Sequence, residues 1–210
     1  MPTNCVGKVR KYLCCVTKYL LDTCVTRIRM GVTSVSQEDI AMPYDARAVA
    51  NYLYDKAKSS GESLDPMKLL KLAYFAHGWH LAIEDTPLVD EPVLAWRYGP
   101  VIRSVYNAFR EYGGHPITDH AKGEWHICGT RIEWSIPHIP ETARKAREIM
   151  DRVWDVYGGY TGLQLSSMTH AAGTPWRKIA DEHGGNIPIG AVIPDSEIRG
   201  HFRALANANK

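Results

Sequence analysis

Two histidines three residues apart, His77 and His80, share one face of a run that reads as a helix. That spacing can hold a metal ion, because both imidazoles then point the same way. A closed site needs further ligands, and the run 66–83 contains no carboxylate or cysteine to join them. Phe75, Trp79 and Leu81 surround the pair, so hydrogen-bonded or half-buried histidines fit better than a metal or acid–base centre. No metal and no cofactor is expected. Cys128 sits in a strand-like run where nothing marks it as an activated thiolate, and it reads as a small core residue. The nucleophile elbow GxSxG, the phosphate loop GxxxxGK[ST], the zinc motif HExxH and the dinucleotide motif GxGxxG are all missing. The chain is not expected to be an enzyme.

Recognition chemistry is better represented. Six Trp and eleven Tyr are many for one small domain, and Trp, Tyr and Arg are the residues that anchor protein interfaces. They concentrate at Trp96, Arg97 and Tyr98, which precede Gly99 and Pro100, with Arg103 just beyond. A Gly-Pro turn fixes the backbone there, so little ordering entropy is lost when a partner docks. Trp96, Arg97, Tyr98 and Arg103 are the candidate partner-binding residues. Trp96 and Tyr98 could equally pack an extended segment onto the domain centre, since interface and core aromatics look alike in sequence.

The elements that position these residues are mostly helical. Ala46, Val49, Ala50, Leu53 and Ala57 define one face of a helix over 46–58, stopped by Ser59, Ser60 and Gly61. Asp65 and Pro66 read as an N-cap followed by proline at the first helical position. The helix over 66–83 is apolar nearly all round, which places it at the domain's centre. Residues 88–96 look extended, and Gly99 and Pro100 are expected to restart a helix ending at Gly113 and Gly114. Residues 125–128 and 131–136 flank Gly129 and Thr130 as a β-hairpin. Pro140 opens a helix closed by Gly158 and Gly159, Thr161 caps one through Thr169, Thr174 and Pro175 start another, and 194–205 forms the last. The predicted fold is mainly α (α+β): a compact multi-helix domain around a buried central helix, with a small β-hairpin.

The two helices at 46–58 and 66–83 do not make a DNA-reading pair. Their connection is longer than the usual short turn, and the second helix lacks a polar face for a groove. Charge agrees. Of 25 basic and 23 acidic residues, 6 and 3 lie in 1–41, leaving 19 and 20 for a nearly neutral body. Such a body has no field for gathering polyanions, so no nucleic-acid partner is expected.

Residues 1–41 stand apart as a basic extension containing Cys5, Cys14, Cys15 and Cys24. Val9, Leu13, Val16 and Leu20 form a stripe at helical spacing. The stripe could dock on the body, touch an anionic surface, or precede a true translation start at Met42. Five cysteines, two adjacent, make no disulfide framework, and a reducing cytoplasm is the simplest setting. No run has the apolar length of a membrane span, and no secretory signal is expected.

Several ordered blocks resemble one family. The run 67–81, from Met67 through Leu72, Phe75, His77 and Trp79 to Leu81, is similar to the central helix of the Panacea domain, also called SocA-like and found in phage-associated GepA-like proteins. Pro87, Leu88, Glu91, Ala95, Trp96, Tyr98, Gly99, Pro100 and Val101 follow at the family's spacing. Tyr106, Tyr112, Gly113, Leu165, Ser166, Thr169, His170, Pro175, Trp176, and the stretch from Ile193 to Phe202 continue it. The resemblance covers 42–210 and leaves 1–41 outside. It implies an antitoxin-like protein that neutralises a cognate protein toxin by direct contact, the toxin being encoded by an adjacent gene. The alternative it implies is a proteolytic adaptor that delivers the toxin to a cytoplasmic AAA+ protease. A DNA-binding autoregulator or a metal-dependent enzyme is the more distant reading.

Overall fold

A computed structural model describes residues 42–208. The extension 1–41 and its stripe therefore lie outside the described residues. Seven α-helices, one 3-10 turn at Arg110–Tyr112 and five short strands are present among the described residues. Helix α1 (Ala46–Ser59) is capped by Asp45, whose carboxylate accepts from the Arg47 N–H at 2.8 Å. Helix α2 (Pro66–Glu84) is capped by Asp65, with Pro66 in its first turn, as its sequence predicts. Nearly every α2 residue up to Leu81 is buried, because α1, α4 (Arg144–Tyr157), α5 (Gly162–Thr169) and α7 (Asp195–Asn207) pack around it. A helix enclosed in this way has no free face to lay in a DNA groove.

Packing against α2 requires a small residue at one point. Gly78 faces Phe202 of α7, and a Cβ there would lie 2.2 Å from the ring. The space lets Phe202 meet Trp79 and Tyr74 edge-on at centroid distances of 5.2 and 5.8 Å. On another side Phe75 stacks flat on Tyr157 of α4 at 4.4 Å.

Strands β1 (Val93–Trp96), β2 (Gly99–Ile102) and β5 (Val192–Ile193) form an antiparallel sheet in the order β2-β1-β5. This corrects the expected helix start at Gly99. Gly99 adopts φ +105°, a region glycine occupies readily, and turns the chain back so that Val101 pairs with Leu94. The helix, α3 (Arg103–Phe109), begins only at Arg103, where the Glu91 carboxylate accepts the Ser104 N–H at 3.1 Å and also bonds the Ser104 hydroxyl. An acid at that point satisfies an orphan donor and favours the helix dipole. Pro100 opposes Ala95, whose own N–H points the other way, to Ala191 O at 2.8 Å. The missing proline N–H therefore costs the β1–β2 ladder nothing.

Helix α4 starts at Arg144, later than Pro140 suggested, because residues 140–143 form a turn closed by Ala143 N–H to Pro140 O at 3.0 Å. Helix α5 carries a full capping box between Thr161 and Gln164, and α6 (Pro175–Glu182) is capped by Thr174. The expected hairpin is β3 (Trp125–Cys128) with β4 (Arg131–Trp134). It projects from the body, which overturns the core reading of Cys128. That thiol is exposed, opposite Arg131 and beside the turn. Among the described residues no helix is long and apolar enough to cross a membrane.

Candidate protein-binding site

Arg97 and Tyr98 form the two-residue turn between β1 and β2, since Trp96 pairs with Gly99. Both side chains are exposed, Tyr98 at 64%. The Arg97 guanidinium lies over the Tyr98 ring, 5.5 Å from its centroid, so each steadies the other.

Three carbonyls, one in this turn and one on each flanking strand, are each held by a side chain from a different helix. Lys71 of α2 donates its Nζ to Pro100 O at 3.1 Å. The Ser166 hydroxyl of α5 donates to Tyr98 O at 3.2 Å, and Trp176 Nε1 of α6 donates to Trp96 O at 2.8 Å. Lys71, Ser166 and Trp176 are all buried. The three donors together clamp the turn and the two strand ends that carry it onto the helical body. Gly99 makes the clamp possible, because a Cβ there would meet Lys71 Nζ at 2.5 Å and Thr169 Oγ1 at 2.9 Å. His170 backs the clamp: its Nδ1 bonds Ser166 O at 2.6 Å, and its ring meets Trp176 edge-on at 3.8 Å.

Burial pushes the Lys71 ammonium down to about 7, since its one bond to a neutral carbonyl does not replace lost hydration. Trp96 is half-buried with its ring edge-on to Tyr106 at 4.7 Å. Arg103 is exposed at the far end of β2. The four candidate residues thus divide: Arg97 and Tyr98 lie together at the turn, Trp96 packs beneath it, and Arg103 is separated from them by the length of a strand. Among the described residues neither Arg97 nor Arg103 forms an ion pair, whereas Arg47, Arg147, Arg177 and Arg199 do. A shallow cleft bordered by Arg97, Trp176, Arg177, Asn186 and Ile187 adjoins the turn.

His77 and His80 are committed to different partners. His77 Nε2 lies 3.2 Å from Asp195 Oδ1 of α7, and His80 Nδ1 donates to Thr86 O at 2.8 Å. Burial lowers the His80 pKa against the opposing pull of that bond, so the ring is neutral near pH 7. Among the described residues no three His, Cys, Asp or Glu side chains are grouped to hold a metal ion.

The family described as "Antitoxin SocA-like, Panacea domain" matches residues 69–177, a stretch containing most of α2, the turn, Ser166 and Trp176. The chain belongs to this family. The chain is also similar to Antitoxin SocA of Caulobacter vibrioides (strain NA1000 / CB15N), with 37% identity over 159 residues. That alignment covers 76% of this chain and 82% of SocA. No solved structure matches the chain. For this Panacea domain, the clamp donors Lys71, Ser166 and Trp176 had no role assignable from sequence. Lys71 showed as one of two lysines on a largely apolar helix, and Ser166 and Trp176 as residues of the family's blocks.

Proposed function

We propose that this Panacea domain is the antitoxin of a toxin–antitoxin pair in the cytoplasm and silences its protein toxin by direct contact through the β1–β2 turn. Arg97 and Tyr98 are the central anchors, Arg103 an outlying one, and Trp96 the packed support. The observation that carries the reading is the three-point clamp on the carbonyls of the turn and its flanking strands. A surface loop held this firmly loses little entropy on docking, and its aromatic–guanidinium pair has the chemistry of an interface anchor. Family membership and the 37% identity to a named antitoxin support the same role.

The test is co-expression with the small protein encoded beside this chain's gene. Expressed alone, that protein is expected to arrest growth, and the antitoxin is expected to restore it and co-purify with it. Failure to restore growth overturns the proposal. Antitoxin-dependent loss of the toxin in cells with an active AAA+ protease would assign the adaptor role instead of sequestration.

A further inference from the structure

The β3–β4 hairpin places two tryptophans and two isoleucines in solvent. Trp125, Ile127, Ile132 and Trp134 are 58%, 68%, 66% and 47% exposed. Directly opposed residues share a face, so the pairs Trp125–Trp134 and Ile127–Ile132 make one continuous apolar surface. The reverse face is polar, with His126 and Glu133 3.7 Å apart. By contrast Trp79, Trp154 and Trp176 are buried in the body. An uncovered row of this kind marks a surface that meets a partner.

The arm is built to hold its shape. Gly129 takes φ +63° at the first turn position and Thr130 stays at negative φ, the pattern of a II′ turn that matches strand twist. At its base the buried Asn51 of α1 bonds both feet. Its Oδ1 accepts from Ala121 N–H at 2.7 Å, and its Nδ2 donates to Ala121 O at 3.1 Å and Pro137 O at 2.9 Å. Arg47 adds a bond to Lys122 O at 3.2 Å.

Both edges of this sheet are open, since it has two strands and pairs with no other among the described residues. Cys128 and Arg131 close the two-residue turn, and Ser135 donates its N–H to Glu124 O at 2.8 Å. Alternation along an antiparallel ladder then turns the N–H and C=O groups of Trp125 and Ile127 outward on one edge, and those of Ile132 and Trp134 outward on the other. The apolar residues and the free backbone groups thus belong to the same four positions.

A second copy stacked face to face is a poor occupant. With aromatic side chains of roughly 150–250 Å², the uncovered apolar face amounts to about 500 Å² per chain. That falls short of the roughly 800 Å² per partner of a standard interface, and stacking leaves every outward amide unpaired. A strand added at one edge pairs the outward amides of that edge and extends the apolar row with its own side chains. We propose that the arm is a strand-addition site: an extended segment of the toxin, apolar at alternate residues, joins one open edge and lays its apolar side chains beside Trp125, Ile127, Ile132 and Trp134. This rests on the antitoxin reading for the identity of the partner and adds a second contact surface to the turn.

The test uses the full chain and the same neighbouring gene product. Amide exchange is measured at Trp125, Ile127, Ile132 and Trp134 in the free chain and in the complex. The outward amides of one edge are expected to slow at least about tenfold on binding. Ile127→Thr with Ile132→Thr keeps β-branched residues, so the hairpin persists, and is expected to weaken toxin binding at least about tenfold. Unchanged exchange at all four amides overturns strand addition, even if the variant binds less well. Wild-type affinity in the variant overturns it too, as does a self-associated free chain that the variant makes monomeric. If the wild-type chain restores growth and the arm shows none of the expected changes, the inference fails alone. If the wild type does not restore growth, the antitoxin reading fails and takes the inference with it.

Discussion

Lys71 carries its ammonium group into the buried interior, where it donates to Pro100 O at 3.1 Å. It is one of two lysines, with Lys68, on a helix that is apolar nearly all round. Its target, Pro100 O, lies 29 positions away and becomes adjacent only when β2 packs on α2. The same holds for Ser166 and Trp176, whose acceptors are backbone atoms that leave no trace in residue type. Lys71 also carries a pH signature. In the unfolded chain it keeps its proton to roughly pH 10.5, whereas in the folded chain burial lowers that point to about 7. Between those values the unfolded state binds the extra proton, so stability rises with pH, and below pH 7 the fold bears the full cost of a buried charge. Lys71→Met removes this titration. Denaturant unfolding of both proteins is expected to show the difference moving in the wild type's favour by more than about 1 kcal/mol from about pH 6 to about pH 9. A difference that stays flat with pH would mean that Lys71 is solvated in the folded protein.

At the scale of elements, helices with side-chain caps were legible, and the β structure was legible only where a turn was unambiguous. Asp65 with Pro66, Thr161 with Gln164, and Thr174 with Pro175 each start a helix where the sequence puts it. Gly99 and Pro100 were ambiguous, because glycine followed by proline suits a helix start and a strand turn alike. The outcome was decided by pairing with β1 and by Glu91 capping from outside the helix. The hairpin was readable from Gly129 and Thr130 with flanking alternation, but its exposure was not, and Cys128 was misplaced for that reason. What attaches the hairpin is Asn51, a polar residue on the buried face of α1. Asn51→Ala strips partners from a buried N–H and two carbonyls, and is expected to destabilise the fold by about 2–4 kcal/mol. Chemical denaturation measures this directly, and a loss below about 0.5 kcal/mol would show that water replaces the side chain.

For the whole molecule, helical content, the central position of α2 and the family were all legible, because they rest on many residues in order. The three-dimensional clamp that fixes the turn rests on few residues far apart and was not. One contiguous core joins α1 through α7 within residues 46–202. Residues 42–210 are therefore expected to unfold cooperatively without the extension, with a melting temperature within a few degrees of the full chain's. A broad transition or an insoluble product would show that residues 1–41 complete the core. Engagement of the toxin by the turn and by Arg103 is measured by titrating purified toxin into wild type and the Arg97→Ala, Arg103→Ala double variant. Both residues are exposed and neither forms an ion pair among the described residues, so the melting temperature should hold within about 2 °C. Toxin affinity is expected to fall at least about thirtyfold, a loss of about 2 kcal/mol or more. Wild-type affinity in a double variant of unchanged melting temperature would contradict that engagement and place the interface elsewhere on the molecule.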